Sequence, residues 1–268
     1  MNETRLKNDG FSLFCTTEGI GSDISQCSVG KFTCAFNDPI VLPVTRQYSA
    51  CLRHMNLLGS IENIDKSVVL IDIAKAPKYE FVTIGFQSDF ACSNIAKFID
   101  YFHGMLSPHY KGAVELKTAN DLRYVIMTVA KDFKVRLRFG MSRLLGFGDL
   151  NFEASAGLYR APFTYDLYTD FHTLFLLAPG LVSPSQAGQS NLCVLRCFDA
   201  DIAKTQTFRN ALVYDFDDSV WAPAYANSFH NLSFVLLRAD LSPVSFSKTA
   251  AFRVVLQIDV KPRLFSGY

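Results

Sequence analysis

Val135-Arg136-Leu137-Arg138-Phe139 alternates strictly between apolar and basic residues. A period of two marks a strand with one buried face, so Val135, Leu137 and Phe139 are expected to point inward and Arg136 and Arg138 outward. The reading extends through the C-terminal half, residues 135–260. The block Leu144-Leu145-Gly146-Phe147 follows, then apolar runs at residues 174–177, 192–198, 232–237 and 252–260. Polar connections at residues 183–191, 199–206 and 215–228 separate them. Strand after strand with long polar loops and no embedded catalytic motif describes a sandwich or barrel that serves as a wall.

Further strands are expected towards the N-terminus at residues 32–36, 48–57, 68–73, 79–86, 113–117 and 123–129, the last two forming a hairpin about Asn120-Asp121. One segment changes period. Ile95, Phe98, Ile99, Phe102, Met105 and Leu106 fall at helical spacing, with Ser93 or Asp89 as cap and Gly104 and Pro108 at the end. That stripe is read as core packing. A single helical turn is expected at residues 141–145, followed by a glycine-punctuated loop to Tyr165. Residues 1–28 are polar and weakly patterned and read as an N-terminal arm whose deletion, to residue 26, spares the fold. Residues 29–268 read as one domain with loop insertions, since no repeat or linker divides them.

Composition narrows the function. The chain has 268 residues, 49% of them hydrophobic, with 24 Phe and 11 Tyr, which suits a sizeable strand-rich core. A formal net charge of +1 gives no concentrated basic face for wrapping nucleic acid. No apolar run is long enough to span a bilayer, and the polar first ten residues lack the apolar core of a secretory signal, so synthesis in the cytosol is expected. Seven cysteines without a CxxC pair read as reduced thiols packed as small hydrophobes.

Chemistry-bearing motifs are missing. None of His54, His103, His109, His172 and His230 is followed two residues later by Asp or Glu, as a cupin-type metal strand requires. No Gly-x-Ser-x-Gly elbow occurs. Gly19-Ile20-Gly21 lacks its third glycine at Ile24, and Gly30-Lys31 lacks the rest of a phosphate loop. Asp215, Asp217 and Asp218 cluster in one loop, read as a solvated acidic loop with Ca²⁺ binding between subunits as the sharper alternative. The sequon Asn231-Leu232-Ser233 falls in an expected strand of a cytosolic protein and is discounted. No catalytic, cofactor-binding or metal residue is assigned, and no cofactor is expected.

The order of these pieces resembles the penton, or minor capsid, proteins of Polinton/Maverick elements, adintoviruses and virophages. Residues 32–36, Pro39 to Pro43 and residues 48–58 are similar to the opening strands. The helix at residues 94–106 leads to strands 123–129 and 135–139 and to Met141-Ser142-Arg143-Leu144-Leu145-Gly146-Phe147. The loop Pro179-Gly180-Leu181-Val182-Ser183-Pro184-Ser185-Gln186-Ala187-Gly188 then leads into Leu192-Cys193-Val194-Leu195-Arg196. Trp221-Ala222-Pro223 precedes the strand from Phe229, and Asp240-Leu241-Ser242-Pro243-Val244-Ser245-Phe246 precedes the last one. The acidic pair that the family has before its last turn stands here as Arg238-Ala239-Asp240, and its Gly before Pro243 as Ser242.

The resemblance implies an all-β, single jelly-roll sandwich of two antiparallel sheets, with one inserted helix and long loops. It implies a structural virion protein that is no enzyme, forms homopentamers at the fivefold vertices of an icosahedral capsid, and is made in the host cytoplasm. Expected partners are its own copies, the double jelly-roll major capsid protein, and other minor capsid proteins or a vertex spike, with no sequence-specific nucleic acid and no membrane span. The arm and the loops at residues 149–165, 183–191 and 215–228 are the expected contact segments. Competing readings are a jelly-roll binding module, either a lectin or a trimeric ligand, and a cupin-type enzyme.

Overall fold

In the computed structural model, residues 10–18, 21–27, 30–58, 61–92, 94–120, 122–148, 150–168, 171–187, 190–199, 211–225, 228–246 and 253–263 are described. The chain divides into two units, Met1–Ile61 with Asp170–Tyr268, and Glu62–Thr169. The first opens with β1 (Phe11–Thr16), β2 (Lys31–Val41) and β3 (Tyr48–Leu58). The second follows with β4 (Leu70–Lys75), β5 (Val82–Gly85), α1 (Ile95–Met105), β6 (Val114–Thr118), β7 (Val125–Val129), β8 (Phe133–Leu137), α2 (Phe139–Leu144), β9 (Phe152–Ala154) and β10 (Gly157–Arg160). The first unit then resumes with β11 (Thr173–Leu177), the short β12 (Ser185–Ala187) and β13 (Ser190–Leu192), β14 (Val194–Asp199), β15 (Ala211–Asp215), the short β16 (Ala222–Ala224), β17 (Ser228–Arg238) and β18 (Arg253–Pro262).

The first unit is a jelly roll. One sheet runs β1-β18-β3-β15 and the other β14-β11-β17-β2. Taking these strands in chain order, first pairs with last, second with seventh, third with sixth and fourth with fifth, all antiparallel. The sandwich is therefore one long hairpin rolled up, with β18 also seated on β3 and β17 on β11. Alternation fills the space between the sheets: Leu13 and Cys15 from β1, Met55 and Leu57 from β3, and Val254, Leu256, Ile258 and Val260 from β18 are buried. Phe32 and Phe234 stack across β2 and β17 with ring centroids 5.4 Å apart. All seven cysteines are free thiols. Burial pushes the Cys34 thiol up to about 12, and burial together with Cys34 pushes Cys15 higher still, so both pack as protonated small hydrophobes.

The second unit has a core of its own. Its sheets run β5-β4-β8-β9 and β10-β7-β6. Ile71, Ile73, Leu116, Met127, Val135 and Leu137 bury their side chains together with the stripe Ile95, Phe98, Ile99 and Phe102 of α1. Asn94 caps α1, its Oδ1 accepting from the Ala96 N–H at 2.7 Å. The buried side chain of Asn63 closes this unit. Its Nδ2 donates to the carbonyls of Cys92 (2.8 Å) and Leu167 (2.9 Å), and its Oδ1 accepts from the Cys92 N–H at 2.7 Å. One fully bonded amide thus ties the entering chain to the leaving chain.

Gly146 explains the Leu-Leu-Gly-Phe block. Its φ is +80°, and a Cβ there would come within 2.3 Å of the Phe163 carbonyl oxygen, so the turn after α2 admits only glycine.

The jelly roll expected from the sequence is present, and four details differ. The expected arm contains β1, paired along its whole length with β18. Within the expected domain of residues 29–268, the stretch 62–169 clusters as a compact unit of its own, built from the strands and helix expected there with β9 and β10 added. Asn94 caps α1; Asp89 instead accepts from the Lys66 N–H, and Ser93 and Asp121 lie outside the described residues. The alternation at Val135 stops at Leu137: Phe139 begins α2 and is exposed.

Truncating Phe98 to Ala is expected to destabilise by ~3–5 kcal/mol through the cavity left in the second unit, measured by denaturant unfolding. Deleting residues 1–26 takes away β1 and strips β18 of a neighbour. Loss of Leu13 burial alone is worth ~1.5–3 kcal/mol, so the truncated chain is expected to melt well below the full chain rather than at the same temperature.

Candidate interaction surface

The polar chemistry of the jelly roll collects on the outer face of the β1-β18-β3-β15 sheet, and a β-bulge puts it there. Gln257 and Ile258 are consecutive on β18 but face His54 and Leu52 on β3, so Arg53 is the extra residue. The bulge keeps Met55 and Leu52 inside and turns two successive polar side chains, Arg53 and His54, outward. Arg53 Nε reaches Asp259 Oδ2 at 2.8 Å, and Asp259 Oδ1 accepts from Ser12 Oγ. His54 Nδ1 lies 2.6 Å from Asp215 Oδ1 on β15. Burial tends to raise the Asp259 pKa, but the bonds from Ser12 and Arg53 outweigh it and hold the carboxyl below its ordinary value.

Trp221, the sole tryptophan, stands at one end of this network. The Lys261 ammonium lies 3.8 Å from its ring centroid and the Arg53 guanidinium 5.8 Å. Gly10, Phe11, Ser12, Trp221, Asp259, Val260 and Lys261 line a cavity of about 320 Å³. Among the described residues no carboxylate pairs with Lys261, whose ammonium rests on the Trp221 ring, while Asp259 in the same lining is taken by Arg53 and Ser12.

A second cluster involves Arg196 on β14. It faces Leu176 across the pair with β11, and its side chain is only 7% exposed. The guanidinium lies 4.6 Å from the Phe216 ring centroid, and Nη2 donates to Asp218. Nε and Nη1 are buried with no partner among the described residues. Phe198 and Tyr214 complete the aromatic surround, with centroids 5.0 Å apart.

The acidic loop is therefore not a free cage of carboxylates. Asp215 is committed to His54 and Asp218 to Arg196, and among the described residues no three His, Cys, Asp or Glu side chains converge to hold a metal. Of the other histidines, His103 accepts from the Leu116 N–H at 3.2 Å, tying α1 to β6.

The loops singled out by length differ in content. Residues 149–165 contain β9 and β10, residues 183–191 most of the β12–β13 hairpin, and residues 215–228 contain β16 and Trp221. The connection at 199–206 lies outside the described residues beyond Asp199. Sequence reading missed Arg53, Asp259, Lys261 and Arg196. The available signal was the loss of alternation at Arg53-His54, where two polar residues stand together inside a strand.

No family model and no curated relative matches the chain. Among solved structures, the mavirus penton protein superposes with a TM-score of 0.55 at 10% identity, covering 95% of this chain and all of that one. A chain of the Sputnik virophage gives a TM-score of 0.53 at 9% identity, covering 97% of this chain and 99% of that one. The fold resemblance read from the sequence is thus found in the structure, on both virophage proteins and over nearly their whole lengths. Among the described residues no helix is long and apolar enough to cross a membrane.

Arg196 distinguishes stability from specificity. A buried cation with one partner gives up more solvation than it regains, so Arg196→Met is expected to be neutral or to stabilise by up to ~1–4 kcal/mol. Removing the partner instead strands the charge, and Asp218→Asn is expected to cost ~1–3 kcal/mol. Urea unfolding of the two variants checks the opposite signs.

Proposed function

We propose that this chain is a structural capsid subunit of the penton type, a homopentamer closing the fivefold vertex of an icosahedral shell and contacting major capsid proteins around it. The observation that carries the reading is the end-to-end agreement with the mavirus penton protein, which includes the second unit and leaves no part of that protein uncovered. The topology suits the role. A rolled hairpin of eight strands gives a stiff block whose loops gather at the sandwich ends, and a ring of such blocks uses heterologous contacts, one patch meeting a different patch on the next copy. Most of the carboxylates described above are paired with basic side chains, as Asp259 is with Arg53, Asp215 with His54 and Asp218 with Arg196, and the chain is assigned a structural role without catalysis on the capsid reading. A virion location follows from the same reading.

Light scattering of the purified chain across a concentration series tests the proposal. A species near five times 29.9 kDa is expected. A stable trimer overturns it and points to a ligand-like module. If the ring closes only on the particle and the free chain is monomeric, incorporation beside the major capsid protein becomes the deciding measurement.

A further inference from the structure

The strand β1 ends its sheet, and the phase of its hydrogen bonds shows which groups it leaves open. The Thr17 N–H donates to the Val254 carbonyl at 3.1 Å. In an antiparallel ladder bonded pairs alternate, so Cys15, Leu13 and Phe11 exchange bonds with β18, while Ser12, Phe14 and Thr16 present their N–H and C=O groups to the opposite side. The Thr16 carbonyl is taken by Ser22 Oγ at 3.1 Å. The backbone groups of Ser12 and Phe14 have no partner among the described residues.

Natural edges are usually blocked by charge, proline or a bulge. The strand Phe11-Ser12-Leu13-Phe14-Cys15-Thr16 has no charge or proline, and its register with β18 runs without a shift. Its neighbouring edge shows the contrast. β2 carries Asp38 and Pro39 where its ladder with β17 shifts register, and Asp23 covers Thr33 with bonds in both directions at 3.0 and 2.8 Å. Phe14 is 65% exposed on the open strand, and the cavity holding Lys261 lies at the strand's Gly10 end. Gly10 is held tight to the rim, since a Cβ there would meet the Val260 carbonyl oxygen at 2.8 Å.

We propose that β1 is a docking edge for an extended segment of a different polypeptide, which adds to the sheet as a further strand. Main-chain bonds to Ser12 and Phe14 supply affinity, an apolar side chain packs on Phe14, and a carboxylate near the Gly10 end answers Lys261. On the fivefold reading β1 against β1 of another copy is excluded, because that is a two-fold contact and closes at two subunits; the charge at the Gly10 end is what favours a foreign, acidic segment over a different segment of the next copy.

The probe is a phage-displayed random-decamer library panned against the full chain. Enriched decamers are expected to alternate β-branched or aromatic residues and to carry Asp or Glu at one end. They are expected to slow amide exchange at Ser12 and Phe14. Phe14→Pro removes only an outward-facing N–H and is expected to weaken binding at least ~10-fold, while Phe14→Thr keeps the N–H and most of the affinity. If Phe14→Pro does not fold, as judged by circular dichroism, protection of Ser12 and Phe14 in the unmodified chain decides alone.

Failure to enrich any decamer overturns the proposal, and so do decamers that bind Phe14→Pro equally well or leave both amides unprotected. A dimer or a pentamer of the unmodified chain that Phe14→Pro abolishes overturns it in favour of a second copy. Light scattering separates the two readings, because a pentamer that persists in Phe14→Pro leaves the vertex role standing whatever the decamers do.

Discussion

The first unit depends on β18, the last strand, being held between β1 and β3. Both of its ladders join residues far apart in sequence, Phe11 with Val260 and Tyr48 with Pro262 among them. No local turn sets this register. It is imposed by burying Val254, Leu256, Ile258 and Val260 against Leu13, Cys15, Met55 and Leu57, since a one-residue slip would turn every one of them to the outside. Contacts of this range are slow to form because loop entropy is spent before burial repays it. The second unit lies in the loop that must close, between β3 and β11. Loop entropy grows only logarithmically with length, and a segment with its own core shortens the effective loop, so the interruption is cheap.

Where one periodicity holds, the sequence can be read directly. The stripe of α1, the hairpin of β6 and β7, and the final strand all keep their period from end to end. β3 is legible only in halves, because the bulge at Arg53 shifts the phase in mid-strand. β1 was hidden by its setting: Leu13 and Cys15 do alternate, but six residues between polar segments look like a decorated arm until β18 is known to need a neighbour. The boundary at Glu62 left no mark in composition, since chain entry and exit are joined by the side chain of Asn63 rather than by a linker. A single buried amide bonded to residues 29 and 104 positions away has no periodic signature.

The same limit applies to the surface. Candidate loops were picked by length, which reports where the chain is irregular and not what its side chains meet. The acidic triplet at Asp215, Asp217 and Asp218 illustrates this. Three carboxylates in four residues suggest a cation, but the fold supplies His54 to the first and Arg196 to the third. Their partners come from β3 and β14, and only the rolled topology brings those strands to the same loop. What resembled a ligand set is the means by which one connection is pinned to both sheets.

A sandwich built from one rolled hairpin necessarily has ends to its sheets, and the treatment of each end carries information. Charged or proline-bearing strands keep foreign strands away at a small cost in local pairing. That β2 is treated so and β1 is not, although the two stand next to one another in sequence, is a difference between two solutions to the same physical problem. With β1 uncovered, the Ser12 and Phe14 amides have no partner among the described residues and the ring of Phe14 is exposed, a cost that core packing does not require, because it is Leu13 and Cys15 that are buried on the opposite face. On the capsid reading proposed above, such an edge makes physical sense when a further strand covers it, and Lys261 beside it, which has no ion pair among the described residues, supplies a charge that would select its cover.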